Sequence, residues 1–365
     1  MKKQIIAKAY WRYLLYVTYL KRYLPIRFLP LPSYVACLLN YNCNLRCQMC
    51  FIDFESENSR RELITPDEYR RLVQQLPSTA VMTFTGGEPM IRKDLFEIFD
   101  AVKSHVRFTF VTNGNFLTED SCRKLLSYAP KNIFGKGLIS IGISIQGSEK
   151  IHDQITQKKG SWEKTAKGTK MLLKLRKEMK QKFPIIDNRM TLIGLNAPFI
   201  KEAYEQSKEF GADIFNIAHF YDWDALTTDI DTNYRNSSGN YEIIDSIDKN
   251  KLEKQINNIL KKNSGQTDLR FTPNGITRKE WLDYLDRDFN PKHFRCSVPW
   301  MQMIISPDGD VITCKAFQSA GNIREKSVKD IWQGTVYEDM RKTLKKVGTF
   351  PVCAGCCNLV SAKKI

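Results

Sequence analysis

The chain has 365 residues, 42% of them apolar, with 56 Lys and Arg against 40 Asp and Glu for a formal charge of +16, ten cysteines and four histidines. Such a length and apolar content suggest about two domains with a sizeable core and exclude a disordered chain. Ten cysteines in 365 residues are too few for a disulfide-dense secreted scaffold, so their spacing matters more than their number.

The charge is concentrated at the start. No acidic residue precedes Asp53, while Lys2, Lys3, Lys8, Arg12, Lys21, Arg22, Arg27 and Arg46 already supply half of the excess. Gln4, Lys8 and Arg12 recur at i, i+4, and Ile6, Tyr10, Tyr13, Leu14, Val17 and Leu20 fall largely away from them, the pattern of an amphipathic helix. Lys8 and Arg12 interrupt the apolar run, which argues against a membrane-spanning helix, and no small-residue cleavage site follows. Trp11 among five tyrosines between Tyr10 and Tyr23, above a basic flank, suits an anionic membrane surface. The alternative is that this segment packs on its own protein. Pro25, Pro30 and Pro32 end it.

From Tyr34 onward, strand-like and helical runs alternate. Strands are expected over Tyr34–Leu39, Ala80–Phe84, Phe108–Thr112, Ile139–Ile145, Met190–Ile193 and Asp213–Ile217; helices over Pro66–Gln75, Asp94–Ser104, Ser121–Ala129, Trp162–Lys180 and Ile200–Phe210. Six such units predict an α/β fold, a partial (β/α)6 TIM-like barrel with parallel strands, whose site lies in the loops after the strands. The expected organisation is a basic helix over 1–33, the barrel over 34–219, a linker or insertion over 220–292, and a small β-hairpin/α unit over 293–365. Within 220–292, Asp222, Asp224, Asp229 and Asp231 lack the spacing of a calcium loop and read as solvated. A helical pattern covers 251–262, and Pro307-Asp308-Gly309 between two apolar runs signals a hairpin. No internal repeat or low-complexity tract is present.

Cysteine spacing carries the chemistry. Cys43-x3-Cys47-x2-Cys50 follows the first strand, with no histidine nearby to complete a four-ligand zinc site. Three thiolates on a cubane 4Fe-4S cluster leave one iron open to another ligand. A second set, Cys296, Cys314, Cys353 and Cys356, is assembled by the hairpin and a Cys-x2-Cys loop, and by spacing suits zinc or iron–sulfur. Spacing favours Cys356 over the adjacent Cys357, and Cys37 and Cys122 read as buried bystanders.

Taken in order, these motifs resemble the radical S-adenosylmethionine (SAM) superfamily. The matches are Cys43/Cys47/Cys50, then Gly86-Gly87-Glu88-Pro89 after the second strand, Asn113 after the third, Ser144 and Gln146 with His152-Asp153 after the fourth, and the segment through Asn196 after the fifth. The resemblance implies a 4Fe-4S cluster whose open iron is chelated by SAM, reductive cleavage to a 5′-deoxyadenosyl radical, and hydrogen abstraction from a substrate C–H. It assigns the SAM amino group to Gly86, Gly87, Glu88 and Pro89, the ribose to Ser144 and Gln146, and the adenine to Met49, where the family often has an aromatic residue; Asn113 and Asn196 join the cofactor site. The C-terminal set resembles the SPASM/twitch extension, the shorter twitch type being the better match, and implies one auxiliary 4Fe-4S cluster on Cys296, Cys314, Cys353 and Cys356. It implies a flavodoxin or ferredoxin as electron donor; oxygen-sensitive clusters fit a reducing cytoplasm, and the aromatic and basic N-terminal helix offers a peripheral membrane attachment as one of its two readings.

The expected reaction is oxidation, epimerisation or coupling of a small-molecule, sugar or lipid-linked substrate, because the 33 residues before the barrel are too short for a leader-binding domain. The alternative is a peptide- or protein-modifying maturase. Nucleic acid is not an expected partner, since residues 53–365 carry only half of the excess charge and show no recognition motif. The organic substrate and the catalytic base are not assigned by the sequence. His219, Tyr221 and Asp222 lie after the sixth strand, and read as an ordinary polar loop.

Overall fold

The computed structural model describes residues 18, 20–52, 62–132, 134–221, 242–262, 267–286, 290–314, 317, 319–350 and 353–362. Its backbone is one sheet in which β1 (Tyr34–Leu38), β2 (Val81–Thr85), β3 (Arg107–Thr112), β4 (Gly137–Ser144), β5 (Ile185–Leu192) and β6 (Ile214–His219) pair in parallel and in chain order. The expected strands are present with ends shifted by a residue or two, except that β5 begins five residues early.

Alternation explains the layers. In β3 the buried positions are Phe108, Phe110 and Thr112, and the half-buried ones Arg107, Thr109 and Val111. Phe108 and Phe110 meet Phe99 of the helix Leu95–Val102 at ring-centroid distances of 4.9 and 5.5 Å, and Phe84 of β2 meets Phe99 at 5.5 Å. That aromatic cluster seals helix to sheet, each buried ring contributing roughly 1.5–3 kcal/mol. The opposite face is polar: Tyr34 Oη donates to Thr83 Oγ1 at 2.8 Å, and Thr83 and Thr109 share a hydrogen bond of 2.7 Å. Helix starts are fixed by capping boxes at Thr65 and Thr118.

The stretch read as a linker or insertion contributes to the sheet. β7 (Asp268–Thr272) pairs in parallel with β6, and the helix Lys249–Lys262 buries Leu252, Ile256 and Ile259. β7 escapes the sequence pattern because its five residues, Asp-Leu-Arg-Phe-Thr, carry charge at alternate positions on the polar face of the sheet. The aspartates between 222 and 231 lie outside the described residues.

The C-terminal hairpin is also annealed to the barrel. β9 (Gln302–Ile305) pairs in parallel with β1, β10 (Asp310–Ile312) pairs antiparallel with β9, and β11 (Ser319–Asn322) pairs with β10. Among the described residues the sheet has ten strands, with β7 and β11 as its edges. A two-stranded sheet of β8 (Phe294–Cys296) and β12 (Leu359–Ser361) attaches beyond β7 through a bridge from Val360 to Gly275.

Most of the N-terminal amphipathic segment lies outside the described residues. Of its end, Lys21 and Arg22 are buried, and Arg22 donates to the carbonyl of Leu344 while its guanidinium lies 4.6 Å from the Trp300 ring. This end packs on the C-terminal unit. Among the described residues no helix is long and apolar enough to cross a membrane.

Candidate active site

The loop after β1 is stitched to its neighbours on both sides. Gly87 N donates to Asn40 O at 2.9 Å, Glu88 N to Asn42 O at 2.7 Å, and Asn40 Nδ2 to Glu88 O at 3.0 Å. Gly86 has φ +136°, where a Cβ would lie 2.7 Å from Asn40 O, and a Cβ on Gly87 would overlap Asn42 O. Only glycine permits that approach. On the other flank, Arg46 N and Gln48 N donate to Thr156 O and Ile155 O of the helix Glu149–Thr156.

Cys43, Cys47 and Cys50 project from this loop. Leu45 N points at Cys43 Sγ (3.4 Å), Ile52 N at Cys50 Sγ (3.5 Å) and Asn113 Nδ2 at Cys43 Sγ (3.8 Å). Donors aimed at sulfur suit thiolates. Burial, reinforced by Cys50 and Cys43, pushes the Cys47 thiol up to about 12, so bound iron must supply the charge that holds it deprotonated. Among the described residues no three of His, Cys, Asp and Glu converge on one metal ion; a cubane, in which each thiolate takes a different iron, does not require them to.

Glu88 is buried and its carboxylate accepts from Met90 N (3.0 Å), Thr112 Oγ1 (2.8 Å) and Asn113 N (2.7 Å). Burial pushes it up to about 7 against the pull of those hydrogen bonds. The side chain thus ties the turn after β2 to the end of β3. Beside Gly87, Asn40 Oδ1 is buried without a hydrogen-bond partner among the described residues. Pro89 is buried at the start of a short 3-10 turn.

The remaining sequence candidates divide. Asn113 donates to Asn44 Oδ1 at 2.8 Å, beside Cys43. Ser144 is half-buried at the end of β4. Gln146 Oε1 accepts from Thr191 N at 3.0 Å, holding β5. Met49 packs into a cluster with Ile193, Phe220, Tyr284 and Ala354. Asn196 is fully buried, with its Oδ1 on Ile193 N and its Nδ2 on Thr191 O, so it shapes its own loop. His152 accepts from Gln146 N at 3.2 Å, and burial lowers its pKa to about 4.

The second cysteine set assembles from three segments: Cys296 at the end of β8, Cys314 after β10, and the loop of Cys353 and Cys356. Burial raises the thiol pKa of Cys296 and of Cys353, with Cys353 and Cys314 adding to it at Cys296 and Cys314 at Cys353; Cys356 is raised first by its hydrogen bond with Cys357, then by burial, with Cys353 and Cys296 adding. Cys357 interacts instead with Cys356 and Arg189. Cys37 and Cys122 are buried in the core.

His219 lies between Trp281 and Tyr284, at centroid distances of 4.4 and 4.0 Å, with Nε2 2.9 Å from Trp281 O. Burial lowers its pKa to about 3. Tyr284 in turn lies against Gly355 of the Cys-x2-Cys loop, where a Cβ would come within 2.6 Å of the ring. This stack was not legible from the sequence, because Trp281 and Tyr284 are some 60 residues from His219. Asp222 lies outside the described residues.

Residues 38–206 match the family model described as the radical SAM superfamily, and residues 296–357 that of an iron-sulfur cluster-binding domain, SPASM. The chain is 29% identical over 146 residues to the antilisterial bacteriocin subtilosin biosynthesis protein AlbA of Bacillus subtilis, covering 39% of this chain and 31% of that protein. It is 29% identical over 190 residues to the AdoMet-dependent heme synthase of Methanosarcina barkeri, covering 51% and 50%. A PqqA peptide cyclase of Granulibacter bethesdensis is 24% identical over 307 residues, covering 81% and 72%. The chain thus spans about a third to a half of the first two relatives' lengths. Its fold is similar to that of Streptococcus suis SuiB bound to the precursor peptide SuiA, with a TM-score of 0.63 at 17% identity, covering 91% of this chain and 72% of that one.

Proposed function

As the chain belongs to the radical SAM superfamily and carries a C-terminal SPASM iron-sulfur domain, we propose that it is a peptide- or protein-modifying enzyme. The cofactors that family and domain imply are SAM with a 4Fe-4S cluster at Cys43, Cys47 and Cys50, and a 4Fe-4S cluster at Cys296, Cys314, Cys353 and Cys356. When bound, the first cluster and SAM supply a 5′-deoxyadenosyl radical that takes hydrogen from a substrate C–H. The chain's own residues do the positioning: Gly86 and Gly87 let the cysteine loop lie against β2, Asn113 points at Cys43 and Met49 packs beside the loop after β5.

The observation that carries the peptide reading is the kind of relative: a bacteriocin biosynthesis protein and a peptide cyclase are both similar to this chain. This favours the maturase alternative over the small-molecule, sugar or lipid-linked substrate first expected. The heme synthase supports the shared core chemistry but not the peptide. The test is co-expression with short peptides encoded beside the gene, read by mass spectrometry. Loss of two hydrogens, or another fixed mass change that requires Cys47, is the expected result. Turnover of a non-peptide metabolite with every such peptide unaltered would overturn the reading.

A further inference from the structure

Two strands flanking β6 carry the same pattern, Asp187-x-Arg189 on β5 and Asp268-x-Arg270 on β7. In each, the arginine Nε donates to the aspartate two residues earlier, at 2.9 Å for Arg189 and 3.5 Å for Arg270. Strand register sets Ser144 opposite Arg189, Arg189 opposite Asn216, and Asn216 opposite Arg270. The four residues form one row across β4, β5, β6 and β7.

Alternation places that row on the polar face, since the intervening residues Met190, Phe215 and Ile217 are buried in an apolar cluster on the other side. Gly142 of β4 leaves room for Arg189: a Cβ there would lie 2.7 Å from its Nε. Although rooted within the sheet, the Arg189 and Arg270 side chains remain 39% and 38% accessible, while Asp187 is 7% accessible. No hydrogen bond is made by the terminal nitrogens of either arginine among the described residues. Asp187, and more weakly Tyr34 of β1 and Cys357, act electrostatically on Arg189.

An arginine held by Nε to a carboxylate on its own strand keeps its other edge for a second, end-on partner. Each arginine is paired with its own aspartate, so the pair selects by fork geometry rather than long-range attraction. We propose that Arg189 and Arg270 form a carboxylate-binding subsite on the polar face of the sheet, which holds an acidic group of the peptide substrate. The carboxylate is that of an Asp or Glu side chain or of a chain terminus. Its identification with a peptide rests on the function proposed above; the subsite itself rests on the geometry of the row.

The experiment uses the full chain, reconstituted anaerobically with both clusters, and titrates three probes by ligand-observed NMR: N-acetylglutamic acid α-amide, N-acetylglycine and N-acetylglutamine α-amide. The two carboxylates are expected to bind and the glutamine probe not to. Preference for one carboxylate assigns the source and supports the subsite either way. Arg189→Gln and Arg270→Gln should each weaken carboxylate binding roughly 10- to 100-fold, and Arg189→Lys, which keeps charge but loses the fork, should also weaken it. Circular dichroism and SAM affinity are measured on each variant, and Arg270→Gln serves if Arg189→Gln fails to fold. Equal binding of the glutamine probe, or unchanged carboxylate binding in the folded variants, overturns the proposal. A parallel loss of SAM affinity also overturns it, since the arginines would then hold the cofactor's own carboxylate. Failure to find a peptide product leaves these readouts intact and counts only against the proposed function.

Discussion

At the scale of single residues, two buried histidines and one buried glutamate titrate with opposite consequences. His152 and His219 have folded pKa values lowered to about 4 and about 3 by burial. Unfolding lets each take a proton, so their contribution to stability is present above pH ~6.5 and is lost as pH falls from there toward about 4 for His152 and about 3 for His219, on the order of 3–5 kcal/mol at most. Glu88 is raised to about 7; its contribution is present below pH ~4.5 and is lost as pH rises toward 7. The effects overlap, so the wild-type profile alone is uninformative. His219→Gln should flatten the acid side of a denaturation-versus-pH series, and Glu88→Gln the side approaching neutrality; parallel profiles for both variants would refute these environments. Cys47→Ala should abolish 5′-deoxyadenosine formation and leave about four of about eight irons. The cysteine spacing and the Gly-Gly-Glu turn stand out in the sequence because both are local motifs. Asn196 was not legible, because its commitment to Ile193 and Thr191 depends on a loop conformation, and Arg189 was not, because its row exists only once four strands are in register.

At the scale of elements, strand and helix positions followed from periodicity, and the ends were refined by caps such as Thr65 and Thr118. β7 was missed because alternate charges obscured a strand that lines a polar face. The turn after β2 holds the cysteine loop through two backbone hydrogen bonds and the Asn40 side chain on Glu88 O. Gly87→Ala forces a Cβ into Asn42 O, so it should displace that loop and lose the first cluster's irons while the second cluster remains; retention of about eight irons per chain would count against this account. Phe99, which joins Phe84, Phe108 and Phe110, should cost about 3–5 kcal/mol on replacement by alanine, measured by chemical denaturation.

At the scale of the whole molecule, the sequence divides into barrel, intervening stretch and C-terminal unit, but the sheet runs through all three. β9 covers the edge of β1, and Trp332 of the C-terminal unit donates to Pro30 O ahead of the barrel. A chain cut after residue 292 should therefore expose a paired edge and aggregate rather than yield a barrel that binds SAM; a monomeric, cooperatively folded fragment would contradict this. Long-range pairing of this kind leaves no local sequence signal, which is why the C-terminal unit reads as separate.

The pairing of β9 with β1 also acts as a ruler. Cys43 lies a few residues beyond the end of β1, and Cys314 lies two beyond the end of β10, the hairpin partner of β9. A slip of one residue in the β1–β9 register would move the second cysteine set by about 3.3 Å and invert the strand's faces. The separation of the two cysteine sets is thereby graduated in whole residues, and cannot be tuned gradually.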